Sequence, residues 1–181
     1  LSNLDAGIRR SLRGQLRRLQ RRLGVTTIMV THDQEEALSM ADRVVLMRSG
    51  RIVQVADPQT LHDRPADVQA ARFMGVENLL PAAADDPGAD AATVHVGFRA
   101  AHARIADQPV PGALNRAGVV TDCAYVGGGR QIVVDCAGAP VTALTARPVA
   151  PGRTVFVAVP PSALMRFGAD EALLPHPPTR H

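Results

Sequence analysis

The 181 residues contain no lysine and no tryptophan, one tyrosine and two cysteines. Each scarcity excludes something. Without lysine there is no Gly-x-x-x-x-Gly-Lys-Ser/Thr phosphate loop. With aromatics at 3%, the core must be built from Val, Leu, Ile and Ala, and the stacking platforms of a single-strand nucleic-acid binder are missing, so nucleic acid is not an expected partner. Cys123 and Cys136 form no Cys-x-x-Cys pair and have no spaced histidines beside them, which argues against a metal site. A reduced, cytosolic chain is the simplest reading, with both cysteines at buried strand positions. No apolar run approaches the ~20 residues that span a bilayer, and the first residues do not read as a secretory signal. Opening on Leu1 rather than methionine, the sequence reads as a piece of a longer polypeptide.

What is present is globular. Apolar residues make up 46%, and the length suits one or two domains. The net charge is +3, and every basic residue other than histidine is arginine. Seven arginines crowd the first helix: Arg9, Arg10, Arg13, Arg17, Arg18, Arg21 and Arg22. Leu4, Ile8, Leu12, Leu16, Leu19 and Leu23 recur at helical spacing on the other face, and Gly24 is a natural stop. A basic amphipathic helix can bind nucleic acid or a membrane surface, but the reading favoured here is a solvated outer face of an α/β domain.

Residues 25–31 form a continuous apolar, β-branched run, the pattern of a buried parallel strand. They lead to His32 and then to a short helix over residues 34–41. Asp33 is its cap, and Glu35 and Glu36 lie in its first turn, where the helix dipole favours acids. A strand end that meets a helix start is where open α/β sheets place ligand groups, so His32 is either a satisfied polar group at a sheet edge or a working group facing a ligand. Residues 43–48 and 51–55 read as a hairpin about Ser49-Gly50. Asp57-Pro58 starts a one-turn helix, and residues 67–73 form another that Gly75 ends.

Residues 81–92 are Ala, Asp, Pro and Gly with little periodicity and read as a linker. Beyond them strand patterns dominate, at 93–98, 118–125, 131–136, 141–145 and 154–159, with turns at Gly127-Gly128-Gly129 and Ala137-Gly138. Short strands at this spacing predict a small barrel. The three glycines read as a turn rather than a phosphate loop, because the next element is a strand. Thr31-His32-Asp33 is not a hydrolase triad, since triad members come together in space rather than in sequence.

One block, however, is specific. Leu1-Ser2-Asn3-Leu4-Asp5, the amphipathic helix, Thr-Ile-Met-Val-Thr-His-Asp-Gln-Glu-Glu-Ala, and then Ala41-Asp42-Arg43-Val44-Val45 with Arg48-Ser49-Gly50-Arg51-Ile52 closely resemble the ATP-binding subunit of ABC transporters, importer type. Residues 1–5 resemble the D-loop, and Thr31-His32-Asp33 resembles the switch-histidine loop. The likeness continues through Asp57-Pro58 and Phe73-Met74-Gly75. Residues from 93 resemble the transport-associated OB-type (TOBE) domain of importers. Val96-Gly97-Phe98-Arg99 matches its Gly-Ile-Arg-Pro-Glu opening, with Ala100 and Ala101 in place of Pro-Glu.

The resemblance implies a fold, partners and roles. The fold is α/β: the C-terminal part of a P-loop NTPase domain over residues 1–80, a linker at 81–92, a small all-β OB-type barrel at 93–168 and a disordered tail at 169–181. His32 would contact the γ-phosphate of ATP and help hold the attacking water. Ser2, Asn3, Leu4 and Asp5 would lie at a dimer interface near the facing nucleotide. ATP and Mg2+ would be held chiefly by Walker A, signature and Walker B segments that this sequence does not contain, so the chain alone is expected to hydrolyse no ATP. The implied partners are a second ATPase subunit, membrane permease subunits and, indirectly, a periplasmic or extracellular solute-binding protein, at the cytoplasmic face of the bacterial plasma membrane. Asn78-Leu79-Leu80 and the aromatic-poor end fit the polyamine, iron and phosphonate branch better than the sugar branch. The alternative is a non-catalytic regulatory or small-anion-binding module built on the OB-type domain.

Overall fold

The computed structural model describes residues 6–175. The chain divides into two compact units, Leu1–Pro65 and Ala66–His181.

The first unit opens with α1, Ala6–Leu23. It stops where the sequence requires: Gly24 takes φ +64° and donates its N–H to the Gln20 carbonyl at 3.0 Å. The apolar stripe of α1 is open, with Ile8, Leu16, Leu19 and Leu23 all exposed. Residues 25–31, expected as a buried strand, form no strand. Ile28 and Val30 are 90% and 96% exposed. β-branched propensity only expresses itself against a neighbouring strand, and the described residues provide none here. Next comes α2, Gln34–Met40, capped by Asp33. Strands β1, Val44–Arg48, and β2, Arg51–Ala56, form the expected hairpin, with Ser49 and Gly50 at φ 49° and 74° in the turn. Helix α3, Pro58–Asp63, starts on its proline behind the Asp57 cap. The only sheet among the described residues of this unit is therefore an antiparallel hairpin. The described residues form no parallel sheet of the kind expected of an α/β nucleotide-binding domain.

The second unit starts with α4, Val68–Phe73, capped by Asp67 and followed by Gly75 at φ 72°. Strands β3, Asn78–Pro81, and β4, His95–Phe98, come next, then a 3₁₀ turn at Ala100–His102 and β5, Arg104–Ala106. Four longer strands follow: β6, Leu114–Val126; β7, Gly129–Cys136; β8, Ala139–Thr145; and β9, Thr154–Val159. A short strand, β10, Met165–Phe167, closes the series. They form two antiparallel sheets, of order β5-β9-β6-β7-β8 and β10-β4-β3. Gly127 and Gly128 turn β6 into β7, and Ala137 and Gly138 turn β7 into β8, all at positive φ.

The aliphatic core expected from composition fills this unit. Val96, Phe98, Leu114, Ile132, Val134, Val141, Val157 and Val159 are fully buried in one cluster. A satellite cluster packs Val68, Ala71 and Val76 of the α4 region against Met165 and Phe167.

The linker and tail expectations need correcting. The 81–92 stretch is packed within the unit: Ala82 N–H binds the Val94 carbonyl at 2.9 Å, and Asp86 is buried. β3, read as the end of the first domain, pairs with β4. Residues 169–175 are held as well. Leu173 N–H reaches the Ala66 carbonyl at 2.9 Å, Leu174 N–H reaches the Arg166 carbonyl at 2.7 Å, and Ala172 bridges to Asp67. The rest of the expected tail, from residue 176, lies outside the described residues.

Candidate functional site

Asp33 sets the geometry around His32. Its backbone is extended and one carboxylate oxygen accepts the Glu36 N–H at 3.1 Å, which satisfies one of the free donors at the start of α2. His32 therefore sits in the turn just before the helix, and it is exposed. Its two neighbours are fixed. Thr31 Oγ1 accepts the Asp33 N–H at 3.0 Å and donates to Glu36 Oε2 at 2.8 Å.

A cation from α1 completes the arrangement. Arg13 Nη2 lies 2.8 Å from Asp33 Oδ2 and 3.4 Å from Glu36 Oε1, while Nη1 lies 3.0 Å from Glu35 Oε2. The Arg13 side chain is only 11% exposed. Burial alone would lower its pKa, but the Glu35 hydrogen bond and the three nearby carboxylates outweigh it and raise the value, so Arg13 stays a cation. One turn on, Arg17 Nη2 lies 3.5 Å from Asp42 Oδ1 and its other nitrogen donates to the Ser39 carbonyl. Helix α2 is thus pinned to α1 at both ends. Between them lies a cleft of about 300 Å³ lined by Arg13, Gly14, Arg17, Glu35 and Ser39.

Of the residues predicted as functional, the structure describes His32 alone; Ser2, Asn3, Leu4 and Asp5 lie outside the described residues. Arg13 was missed by sequence reading, which placed it with six other arginines on a solvated face. Three acids in four residues, Asp33, Glu35 and Glu36, call for a cation, but spacing alone cannot choose one from seven.

The fit to a nucleotide is partial. Among the described residues no group of three His, Cys, Asp or Glu side chains could hold a metal ion. With no phosphate loop in the sequence either, the described residues do not by themselves form a site for ATP and Mg2+. What they offer is one exposed imidazole on a tightly braced turn.

In the second unit, the segment that resembles the TOBE opening does structural work. Arg99 donates to the carbonyls of Met74 and Gly75 at 3.0 and 3.2 Å, which caps the end of α4. Glu77 accepts the Ala100 N–H at 3.2 Å. Burial pushes the Cys136 thiol above its ordinary pKa, and both cysteines are free thiols.

Residues 96–167 match the TOBE domain family. Along the chain as a whole the similarity is to import ATP-binding proteins. The sulfate/thiosulfate import ATP-binding protein CysA 2 of Chromobacterium violaceum is 37% identical, covering 95% of this chain and 54% of that protein. The spermidine/putrescine import ATP-binding protein PotA of Marinobacter nauticus is 47% identical, covering 62% of this chain and 30% of its own length. The Fe(3+) ions import ATP-binding protein FbpC of Pseudomonas fluorescens is 41% identical, with coverages of 76% and 43%. The chain spans about half the length, or less, of these relatives. No helix among the described residues is long and apolar enough to cross a membrane.

Proposed function

We propose that this chain is the C-terminal part of the ATP-hydrolysing subunit of an ABC importer, in which His32 senses the γ-phosphate. The observation that carries this reading is His32 itself: an exposed imidazole on a turn fixed from both sides by Thr31 and Asp33. Such a ring can donate to developing negative charge and orient a water, while phosphoryl transfer demands positioning more than covalent chemistry. The open apolar stripe of α1 and the exposed residues 25–30 support it too, since a larger ATPase domain would cover them. In this reading ATP and Mg2+ are held by the segments that the longer relatives possess. The D-loop residues Ser2, Asn3, Leu4 and Asp5 face a second ATPase subunit, and the assembly docks on a membrane permease at the cytoplasmic face, served indirectly by a solute-binding protein. By itself the 181-residue chain hydrolyses no ATP.

The test is to join this chain to the N-terminal part of the Marinobacter nauticus relative and measure ATP turnover. Saturable turnover that His32→Ala abolishes supports the reading. Turnover untouched by His32→Ala, or turnover by the 181-residue chain alone, refutes it. The second reading, a small-anion-binding module, rests on the intact β unit; calorimetric titration of the chain with sulfate and phosphate tests it, and saturable heat would favour it.

A further inference from the structure

We propose that Arg13 is the positioning residue for His32: one guanidinium on α1 fixes the turn that presents the imidazole. The inference rests on the phosphate-sensing reading only for why His32 has to be held; the bracing itself is independent of it.

The hydrogen bonds form a closed ring around His32. Arg13 grips Asp33 Oδ2 and Glu36 Oε1 with the same nitrogen. The other oxygen of Glu36 receives the Thr31 hydroxyl, and that hydroxyl receives the Asp33 N–H. The other oxygen of Asp33 takes the Glu36 N–H. Residues 31 and 33, on either side of His32, are thus tied to one another and to α1. Every link but the Asp33 N–H to Thr31 bond ends on one of the two carboxylates, and these are like charges separated by less than one helical turn. Without a cation they repel. Arg13 removes that repulsion and sets the direction of both groups through charge-assisted bonds, the strongest neutral-pH hydrogen bonds available to side chains. Glu35, held by the other terminal nitrogen, fixes the rotation of the guanidinium plane.

Arg17 is the internal control. Its side chain pins the far end of α2 through Asp42 and the Ser39 carbonyl, four residues along the same helix. A general need for α1–α2 packing would make Arg13 and Arg17 equivalent. Positioning makes them different. The proposal also gives a route for motion: α1 follows Asp5 in sequence, so a shift of that helix carries the His32 turn with it.

The test uses the whole 181-residue chain without nucleotide, which separates it from the fate of the phosphate-sensing reading. Amide hydrogen exchange at Asp33 and Glu36 and the His32 ring carbon signals are followed by NMR in the parent, Arg13→Gln, Arg13→Lys and Arg17→Gln. Arg13→Gln is expected to speed exchange of both amides by about tenfold or more and to narrow and shift the His32 ring signals toward those of a free histidine. Arg13→Lys recovers part of the loss, because a point charge holds one carboxylate but cannot span three. Arg17→Gln leaves the ring signals and both amides unchanged. If Arg13→Gln reduces the helical circular dichroism, Glu36→Gln reads the same ring from its other side and is expected to give the same faster exchange. Unchanged amides and ring signals in Arg13→Gln or in Glu36→Gln, or an equal loss in Arg17→Gln, would overturn the proposal.

Discussion

Asn78 and Thr142 bind one another as two strands would. Asn78 Nδ2 donates to the Thr142 carbonyl at 2.9 Å, and Thr142 N–H donates to Asn78 Oδ1 at 2.7 Å. Asn78 is 1% exposed and begins β3; Thr142 is in the middle of β8. A side-chain amide thereby serves the free edge of β8 and joins the two sheets of the second unit. Asn78→Ala leaves both backbone groups of Thr142 unmatched, with an expected loss of about 2–4 kcal/mol. Asn78→Asp keeps the acceptor but sets a carboxylate oxygen against the Thr142 carbonyl, so it should also fall well below the parent. Urea denaturation of the chain measures both, and parental stability for either variant would contradict the assignment.

The buried pair of Asp86 and Arg116 makes the second prediction. The guanidinium is bidentate, at 2.6 and 2.7 Å, and the Asp86 side chain is 2% exposed. The bond to Asp86 raises the Arg116 pKa against the opposing effect of burial. Arg116→Leu strands a buried carboxylate and should cost about 3–5 kcal/mol. Adding Asp86→Asn to that variant removes the stranded charge and keeps an oxygen for the Ala83 N–H, now bound at 2.8 Å. The double variant should therefore recover much of the loss, which a double-mutant cycle would show.

Gly118 supplies a steric prediction. A Cβ built there would lie 2.4 Å from the Asp135 carbonyl oxygen and 2.7 Å from a Val134 methyl carbon. Both neighbours belong to β7, paired along β6, so the backbone itself has to move. Gly118→Ala should cost about 3 kcal/mol, the upper end of the usual range for overpacking. At Gly97 the nearest atom, 2.9 Å away, is a flexible Leu79 methyl, so Gly97→Ala should cost less. Equal midpoints for the two variants in thermal melts would show that the β6–β7 ladder yields more easily than its geometry implies.

The α3 cap predicts a pH dependence. The Thr60 N–H and hydroxyl, at 2.9 and 2.7 Å, hold the Asp57 carboxyl below the usual carboxylate range. Because the folded pKa is depressed, the cap's contribution is complete above the ordinary Asp value and is lost as pH falls through the lower folded value. The Thr60 amide signal should therefore titrate with a midpoint below that of an unstructured aspartate. A midpoint at or above it would contradict the cap.

Much of this was legible in the residues, and the failures share a cause. Asp33, Asp57 and Asp67 signal helix starts through chemistry local to one turn, and Ser49-Gly50 and Gly127-Gly128 signal hairpins in the same way. Residues 25–31 have the local character of a strand, yet a strand needs a neighbour, and pairing is not a local property. The 81–92 stretch reads as a linker because its order comes from distant partners: Arg116 holds Asp86, and Arg166 donates to the Pro87 carbonyl at 2.7 Å. His32 could be singled out because a strand-like run meets a helix cap there. Arg13 could not, since its role depends on which face of α1 meets α2.

The proposed role of His32 can be tested most directly by ATP turnover of this chain joined to the N-terminal part of the Marinobacter nauticus relative, measured with and without His32→Ala. The account predicts saturable hydrolysis in the joined protein, its loss in the variant with the fold intact by circular dichroism, and none from the 181-residue chain alone. Hydrolysis that persists at the parental rate without the imidazole would contradict it.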